Sequence, residues 1–214
     1  MMQSGSSVRV PLWLKLAYTA FVAVLVPHYW EAYGPTNFLY FCDIALLLTC
    51  VALWRESALL ASACAVGILL PQLLWIVDFM ATWLGIPVTG MTAYMFQPAI
   101  PLFARFLSFC QFWLHLVLLW LVFRLGYDRR GLRLWWGVAW AAMALSYLYL
   151  PMPPAPPDQP GLPVNVNYVF GLNDQAPQAW MPKPVFFVLM LLALPMLIWW
   201  PTHWLMTRLV PARN

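Results

Sequence analysis

Residues 57–84 of the chain read SALLASACAVGILLPQLLWIVDFMATWL, a run in which Asp78 is the one charged residue. A helix needs about 20 apolar residues to cross a bilayer, so this stretch is long enough to span one. The rest of the chain has a similar composition: 64% of its residues are hydrophobic, 8% are charged, and its mean hydropathy is +0.75. These features predict an integral membrane protein.

Outward from this run, other apolar stretches predict further helices. The six predicted transmembrane helices cover residues 11–33, 36–54, 57–84, 102–125, 132–151 and 184–209. They take up most of the 214 residues, which leaves little chain for a soluble domain. The predicted fold is therefore all-α. It is a polytopic membrane protein, a six-transmembrane-helix bundle that forms one domain over residues 1–214, with a long outer loop between helices 5 and 6.

The basic residues predict the orientation of this bundle. Nine of the 11 basic residues fall at the two termini or in the connections after helices 2 and 4: Arg9, Lys15, Arg55, Arg124, Arg129, Arg130, Arg133, Arg208 and Arg213. The opposite connections carry Glu31, Asp158, Asp174 and Lys183. Because basic residues near short loops stay in the cytoplasm, both termini are predicted to be cytoplasmic. The first ten residues, MMQSGSSVRV, do not resemble a signal peptide, so the first helix is predicted to be retained.

Four ionisable residues lie inside the otherwise apolar stretches: Asp43, Asp78, Arg105 and His115. Such a group costs on the order of 2.5–3.5 kcal/mol in the membrane centre, so it usually has a purpose. The polar residues concentrate in the outer halves of the helices, where Gln72, Gln111 and His28 join them. This pattern predicts a polar cavity that opens outward. In the alternative interpretation, the aspartates pair with Arg105 and only hold helices together.

Two outer connections are predicted to cover that cavity. Residues 85–101, GIPVTGMTAYMFQPAIP, are uncharged and too apolar for an exposed loop. Residues 151–183 begin with a proline-rich segment and continue with a polar and aromatic run that contains Asn165, Asn167 and Tyr168. A connection of this length is usually functional or disordered, and its aromatic residues favour an ordered lid.

Several functional classes are not expected. The three histidines lie on different helices, and the four cysteines have no CxxC spacing, so no metal and no cofactor is predicted. The basic residues flank the membrane and form no groove for nucleic acid. The expected partners are a membrane lipid and either another membrane protein or a second copy of the chain.

Two short stretches carry a family resemblance. LYFCDIALLL at residues 39–48 and NVNYVFGLNDQAP at residues 165–177 resemble the YwaF-like family of bacterial integral membrane proteins and its eukaryotic transmembrane relatives. The order of six helices with a late outer loop is also similar. A eukaryotic relative is a phospholipid acyltransferase that uses a membrane cysteine. The resemblance implies a bacterial inner-membrane location and Cys42 as a nucleophile, with Asp43 where the family is expected to have a histidine.

The predicted function is a lipid-modifying enzyme that performs acyl transfer or ester hydrolysis. Cys42 or an activated water would attack an ester, with His115 as general base and Asp43 to orient it or act as an acid. The residues predicted to bind substrate are Asp78, Gln111, Arg105, Gln72, Asn165, Asn167, Tyr168 and His28, of which Gln111 and Asn167 would donate hydrogen bonds to the oxyanion. The alternative is a non-enzymatic subunit or carrier that binds a lipid, a quinone or a partner helix.

Overall fold

The computed structural model describes residues 10–86, 88–98, 100–159 and 162–210, and in these ranges the chain is all-helical. The helices are α1 (Leu12–Tyr33), α2 (Phe41–Arg55), α3 (Ala58–Trp83), α4 (Leu102–Ser108), α5 (Cys110–Leu125), α6 (Gly131–Tyr149), α7 (Lys183–Leu194) and α8 (Trp200–Leu209). Short 3₁₀ turns at Pro35–Leu39, Ala93–Phe96 and Val166–Tyr168 lie in the connections. A π-helical turn, Pro195–Trp199, joins α7 to α8.

Four helical segments in the described part of the chain are long and apolar enough to cross a membrane: Leu12–Tyr33, Ala58–Trp83, Leu102–Leu125 and Lys183–Leu209. Helix α2, with 15 residues, and helix α6, with 19, occupy the other two predicted stretches. The all-α class is confirmed, and the four apolar helices fit an integral membrane protein. Six crossings and the long outer loop stay predictions.

Two of the predicted helices are interrupted. The predicted helix 102–125 consists of α4 and α5, which meet at Phe109. The predicted helix 184–209 consists of α7, the π-helical turn and α8. Pro195 stands at the start of that turn, and a proline lacks the backbone N–H that continues an α-helix. The turn is therefore a local response to a missing hydrogen-bond donor.

Helix α3 is the centre of the bundle, and it packs against α2, α5 and α6. Small side chains let its neighbours come close; Ala61, Ser62, Ala63, Cys64 and Ala65 are each completely buried. The Trp135 ring of α6 lies directly over Gly67, where a Cβ atom would overlap it. A Cβ atom on Gly131 would lie 2.8 Å from the Ala63 nitrogen. The helix spacing in the core therefore depends on these two glycines.

The helix ends form two faces. We call the end at which α1 begins the termini face. At this face Lys15 forms a 2.7 Å ion pair with Glu56. The Asp128 amide also donates a hydrogen bond to the Ser62 hydroxyl there. Arg55, Arg124 and Arg208 lie in the last turns of helices that end at this face, whereas Arg9 and Arg213 lie outside the described residues. Its cytoplasmic location stays a prediction.

The opposite end is the loop face, which carries residues 34–40, 88–98, 151–159 and 162–182. The 3₁₀ turn at Pro35–Leu39 occupies the start of the predicted helix 36–54, so α2 begins only at Phe41. The polar residues predicted to form a cavity lie toward this face.

Candidate functional site

A pocket of about 600 Å³ lies near the loop face, between the end of α3, the turn Ala93–Phe96 and helix α4. We call it the Arg105 groove. Its lining residues are Phe79, Met80, Trp83, Met95, Phe96, Leu102, Arg105, Phe106 and Phe109. Trp83 is 67% exposed and Phe106 is 65% exposed, so the groove opens on the lateral surface of the bundle. Its volume lies within the range of pockets that hold small molecules, but it is open on one side.

Arg105 is the one charged residue in the lining of the groove. Its Nη1 donates a 3.3 Å hydrogen bond to the Met95 carbonyl oxygen. Its Nε is buried and has no hydrogen-bond partner among the described residues. Among the described residues no ion pair joins Arg105 to Asp43 or Asp78, so the pairing of the alternative interpretation does not occur there. The wall of the groove is therefore apolar apart from one positive charge, whose Nε atom is buried without a partner among the described residues.

Aromatic rings close the inner side of the groove. Phe79 is the centre of this cluster, with ring centroids 5.2 Å from Phe96, 5.6 Å from Phe109 and 5.2 Å from Phe112. Trp75 stacks on Phe79 at 5.5 Å. Such ring pairs add packing energy beyond their buried area, so they stabilise this wall.

Asp78 lies apart from the groove lining and binds the backbone of the connection that follows α3. Its Oδ1 accepts hydrogen bonds from the amides of Val88 (3.0 Å), Thr89 (2.5 Å) and Gly90 (3.0 Å). Its Oδ2 accepts from the Thr92 amide at 2.9 Å and from the Thr92 hydroxyl at 2.6 Å. Because five donors of the chain itself bind this carboxylate, the hydrogen-bonding capacity of Asp78 is used within the protein.

A second polar cluster lies between α2, α3 and α5. Gln72 Nε2 donates to the Gln111 carbonyl oxygen at 2.8 Å and to the Gln111 side-chain oxygen. The Cys42 thiol interacts with the Gln111 side chain. His115 Nδ1 lies 3.3 Å from the same Gln111 carbonyl oxygen, and His115 is buried. The structure thus brings together Cys42, Gln72, Gln111 and His115, and we call them the polar cluster.

Asp43 lies beside this cluster but contacts a different partner. Its Oδ2 accepts a 2.9 Å hydrogen bond from Asn37 Nδ2, and both side chains are buried. The described residues include no hydrogen bond from Asp43 to His115 and none from Cys42 to His115. A nucleophile and its base normally lie within hydrogen-bond reach of each other, although this distance is often longer without substrate.

Tyr94 belongs to the site but escaped the sequence prediction. It lies in the turn Ala93–Phe96, directly before the groove residues Met95 and Phe96, and its side chain is partly buried. Burial raises the pKa of the Tyr94 hydroxyl, so this group stays protonated at neutral pH. Tyr94 sits in the uncharged segment 85–101, where the sequence offers no signal to single out one tyrosine.

Two asparagines of the connection between α6 and α7 make contacts of different kinds. Asn167 Oδ1 accepts from the Phe41 amide at 3.0 Å, and its Nδ2 donates to the Leu39 carbonyl oxygen at 2.8 Å. Asn165 instead organises the loop: its Nδ2 donates to the Gly171 carbonyl oxygen at 2.9 Å, and its Oδ1 accepts from the Phe170 amide at 2.8 Å. These contacts hold the loop against the start of α2.

Tyr168 and His28, which are also predicted to bind substrate, contact other parts of the chain. Tyr168 has a positive φ of 60°, and its amide donates a 2.8 Å hydrogen bond to the Asn165 carbonyl oxygen. His28 packs edge-to-face on Phe103 at 4.9 Å, and its buried Nε2 has no partner among the described residues. Neither residue lines the Arg105 groove.

The described part of the chain brings no three His, Cys, Asp or Glu side chains together in a way that suits a metal ion. The site consists of an apolar groove with one arginine and of a buried polar cluster behind it. Comparison of the chain with protein-family models, with curated proteins and with solved structures finds no match, so the resemblance to the YwaF-like family stays a prediction.

Proposed function

We propose that this protein binds one membrane lipid in the Arg105 groove, with the acyl chain along the aromatic wall and an anionic headgroup on the guanidinium. The single observation that carries the proposal is that Arg105 is the one charged residue in the lining of a lateral pocket that is otherwise apolar, and that its guanidinium makes a single hydrogen bond of 3.3 Å within the described chain. A phosphate or a carboxylate is the group that a guanidinium binds best, because it accepts two parallel hydrogen bonds.

In this proposal Arg105 determines which lipid binds, because the acyl chain contributes little net free energy. An acyl chain that moves from the bilayer into the groove exchanges one apolar environment for another, so its burial adds little net free energy. A guanidinium in an apolar wall is costly when some of its donors lack partners. An anionic headgroup would offset this cost, because charges interact strongly where water is excluded.

The acyl-transfer function predicted from the sequence receives less support from the contacts. It needs a base close to the Cys42 thiol, and the described partner of that thiol is Gln111. Lipid binding needs only the groove and its charge. An acyl group found covalently attached to Cys42 by mass spectrometry of the purified protein would favour the enzymatic function.

The experiment is a lipid titration of the detergent-purified protein, followed by native mass spectrometry. We expect phosphatidylglycerol to bind and diacylglycerol with the same acyl chains, which lacks the phosphate, to bind weakly. Arg105→Gln should weaken phosphatidylglycerol binding by about tenfold or more, since a hydrogen bond to a charged group is lost.

The matched control is Arg124→Gln, because Arg124 is exposed in the last turn of α5, at the termini face. This variant should bind phosphatidylglycerol like the wild type. Equal affinities in wild type, Arg105→Gln and Arg124→Gln would contradict the proposal.

A further inference from the structure

The Arg105 groove has two helical walls and a third wall that comes from a connection. Helices α3 and α4 contribute most of the lining, and Met95 and Phe96 of the connection between these helices form the third wall. Both residues belong to the turn Ala93–Phe96, which has only four residues. So short a turn has few backbone hydrogen bonds of its own. The position of the third wall therefore depends on contacts with other elements.

Asp78 of α3 makes the main polar contacts with the start of this connection. Its carboxylate accepts five hydrogen bonds from residues 88–92, at distances between 2.5 and 3.0 Å. Thr92, which donates two of them, is completely buried, and its hydroxyl also lies 3.2 Å from the Thr82 hydroxyl of α3. Hydrogen bonds to a charged acceptor are roughly twice as strong as those between neutral groups. Asp78 therefore fastens the connection to α3.

A continuous series of hydrogen bonds leads from Asp78 to Arg105. The Thr92 amide donates to Asp78 Oδ2 at 2.9 Å. The Thr92 carbonyl oxygen accepts from the Met95 amide at 2.9 Å. The Met95 carbonyl oxygen in turn accepts from Arg105 Nη1 at 3.3 Å. The carboxylate is thus linked to the guanidinium through the backbone of Thr92 and Met95.

The same contacts leave Arg105 without Asp78 as a counter-ion. An ionised carboxylate has about four lone-pair positions, and five donors already bind this one. Among the described residues no ion pair joins the two side chains. An anionic ligand would therefore not have to displace an aspartate from the guanidinium.

We infer that Asp78 is a positioning residue of the Arg105 groove: it fixes the third wall and, through the Met95 carbonyl oxygen, orients the guanidinium of Arg105. Asp78 is not part of the groove lining, so it acts through Thr92 and not on the ligand itself. The inference rests on the proposed function for the identity of the ligand, an anionic lipid. The attachment of the wall can be measured without any lipid.

Hydrogen exchange measures this attachment in the purified full-length protein, in detergent and without added lipid. Asp78→Asn should make the segment 88–92 exchange about tenfold faster, because a charged acceptor is lost. Residues 61–69 of α3, which are all buried, should exchange as in the wild type. The matched control is Asp158→Asn, the same change at an exposed aspartate of another loop, which should leave both segments unchanged.

Thr92 provides a milder pair of variants. Thr92→Val removes the hydroxyl that donates to Asp78 and keeps the shape of the side chain, whereas Thr92→Ser keeps the hydroxyl. Thr92→Val should accelerate the exchange of residues 88–92 a few-fold, and Thr92→Ser should accelerate it less. This pair decides the question if Asp78→Asn does not fold.

A double-mutant cycle tests whether Asp78 acts through Arg105. Phosphatidylglycerol binding is measured by native mass spectrometry for Asp78→Asn, for Arg105→Gln and for the double variant. Asp78→Asn alone should weaken binding several-fold. The double variant should lose no more affinity than Arg105→Gln alone, because the guanidinium that Asp78 orients is then absent.

Unchanged exchange of residues 88–92 in Asp78→Asn and Thr92→Val would overturn the inference. Equal acceleration of residues 61–69 would also overturn it, because Asp78 would then stabilise the whole fold. Unchanged affinity in Asp78→Asn, or additive losses in the cycle, would show that Asp78 does not act through Arg105. If Arg105→Gln binds phosphatidylglycerol like the wild type, the proposed function fails instead, and the lipid-free exchange still decides whether Asp78 holds the wall.

Discussion

At the scale of single residues, Gly67 is the position at which the core has least room for a larger side chain. The Trp135 ring lies over it, and Trp135 is completely buried. Gly67→Ala should therefore destabilise the protein by about 1–3 kcal/mol, since overpacking a dense core forces neighbours to shift. Thermal unfolding in detergent, followed by circular dichroism, measures the effect.

Gly137→Ala is the matched control for this change. Gly137 lies in α6 with open space where a Cβ atom would be placed. Alanine there should leave stability equal or raise it slightly, because glycine is the poorer helix former by about 1 kcal/mol. Equal losses in the two variants would contradict the close packing of α3 on α6.

Asp78 and Tyr94 show why a site is harder to predict from sequence than a fold. The sequence predicts that Asp78 is important, because an aspartate in an apolar helix is costly. It does not predict that the partners are backbone amides of Val88, Thr89 and Gly90, since every residue offers such amides. Tyr94 was missed for a related reason. Only the fold shows that the turn that contains it forms a wall of the groove.

At the scale of elements, apolar runs predict where helices lie but not where they break. Prediction of one helix over 102–125 follows from hydropathy, which does not change at the junction of α4 and α5. The junction is marked instead by hydrogen bonds: the Ser108 hydroxyl donates to the Ala104 carbonyl oxygen at 3.1 Å and lies 3.1 Å from the Tyr29 hydroxyl. A partner on another helix cannot be found from the local pattern.

The attachment of the α6–α7 connection to α2 gives a prediction at this scale. Asn167→Ala removes the acceptor of the Phe41 amide and the donor to the Leu39 carbonyl oxygen. Leaving these groups unpaired should cost about 1–3 kcal/mol, and the Phe41 amide should lose its protection in hydrogen exchange.

The control for this variant is Asn173→Ala. Asn173 is exposed, and its side chain accepts only from the nearby amides of Gln175 and Ala176. Phe41 should stay protected in this variant. Normal protection of Phe41 in Asn167→Ala would mean that the loop does not hold the start of α2.

At the scale of the whole molecule, the topology is open to a direct test. If all six predicted helices cross the membrane, Asp158 and Arg129 lie on opposite sides. In a cysteine-free background, a membrane-impermeant maleimide applied to intact cells should label Asp158→Cys and leave Arg129→Cys unlabelled until the cells are opened. The arginine distribution supports this result, since basic connections remain cytoplasmic. Labelling of both variants in intact cells would contradict it.

The central claim is that a single lipid occupies the Arg105 groove, and photo-crosslinking tests it most directly. A phosphatidylglycerol with a photoreactive acyl chain is bound to the purified protein, irradiated, and its attachment sites are mapped by mass spectrometry. The account predicts crosslinks concentrated on the groove residues Phe79, Met80 and Phe106, and their loss with excess unlabelled phosphatidylglycerol or in Arg105→Gln. Crosslinks spread evenly over the exposed faces of α1 and α7, unchanged in Arg105→Gln, would contradict it.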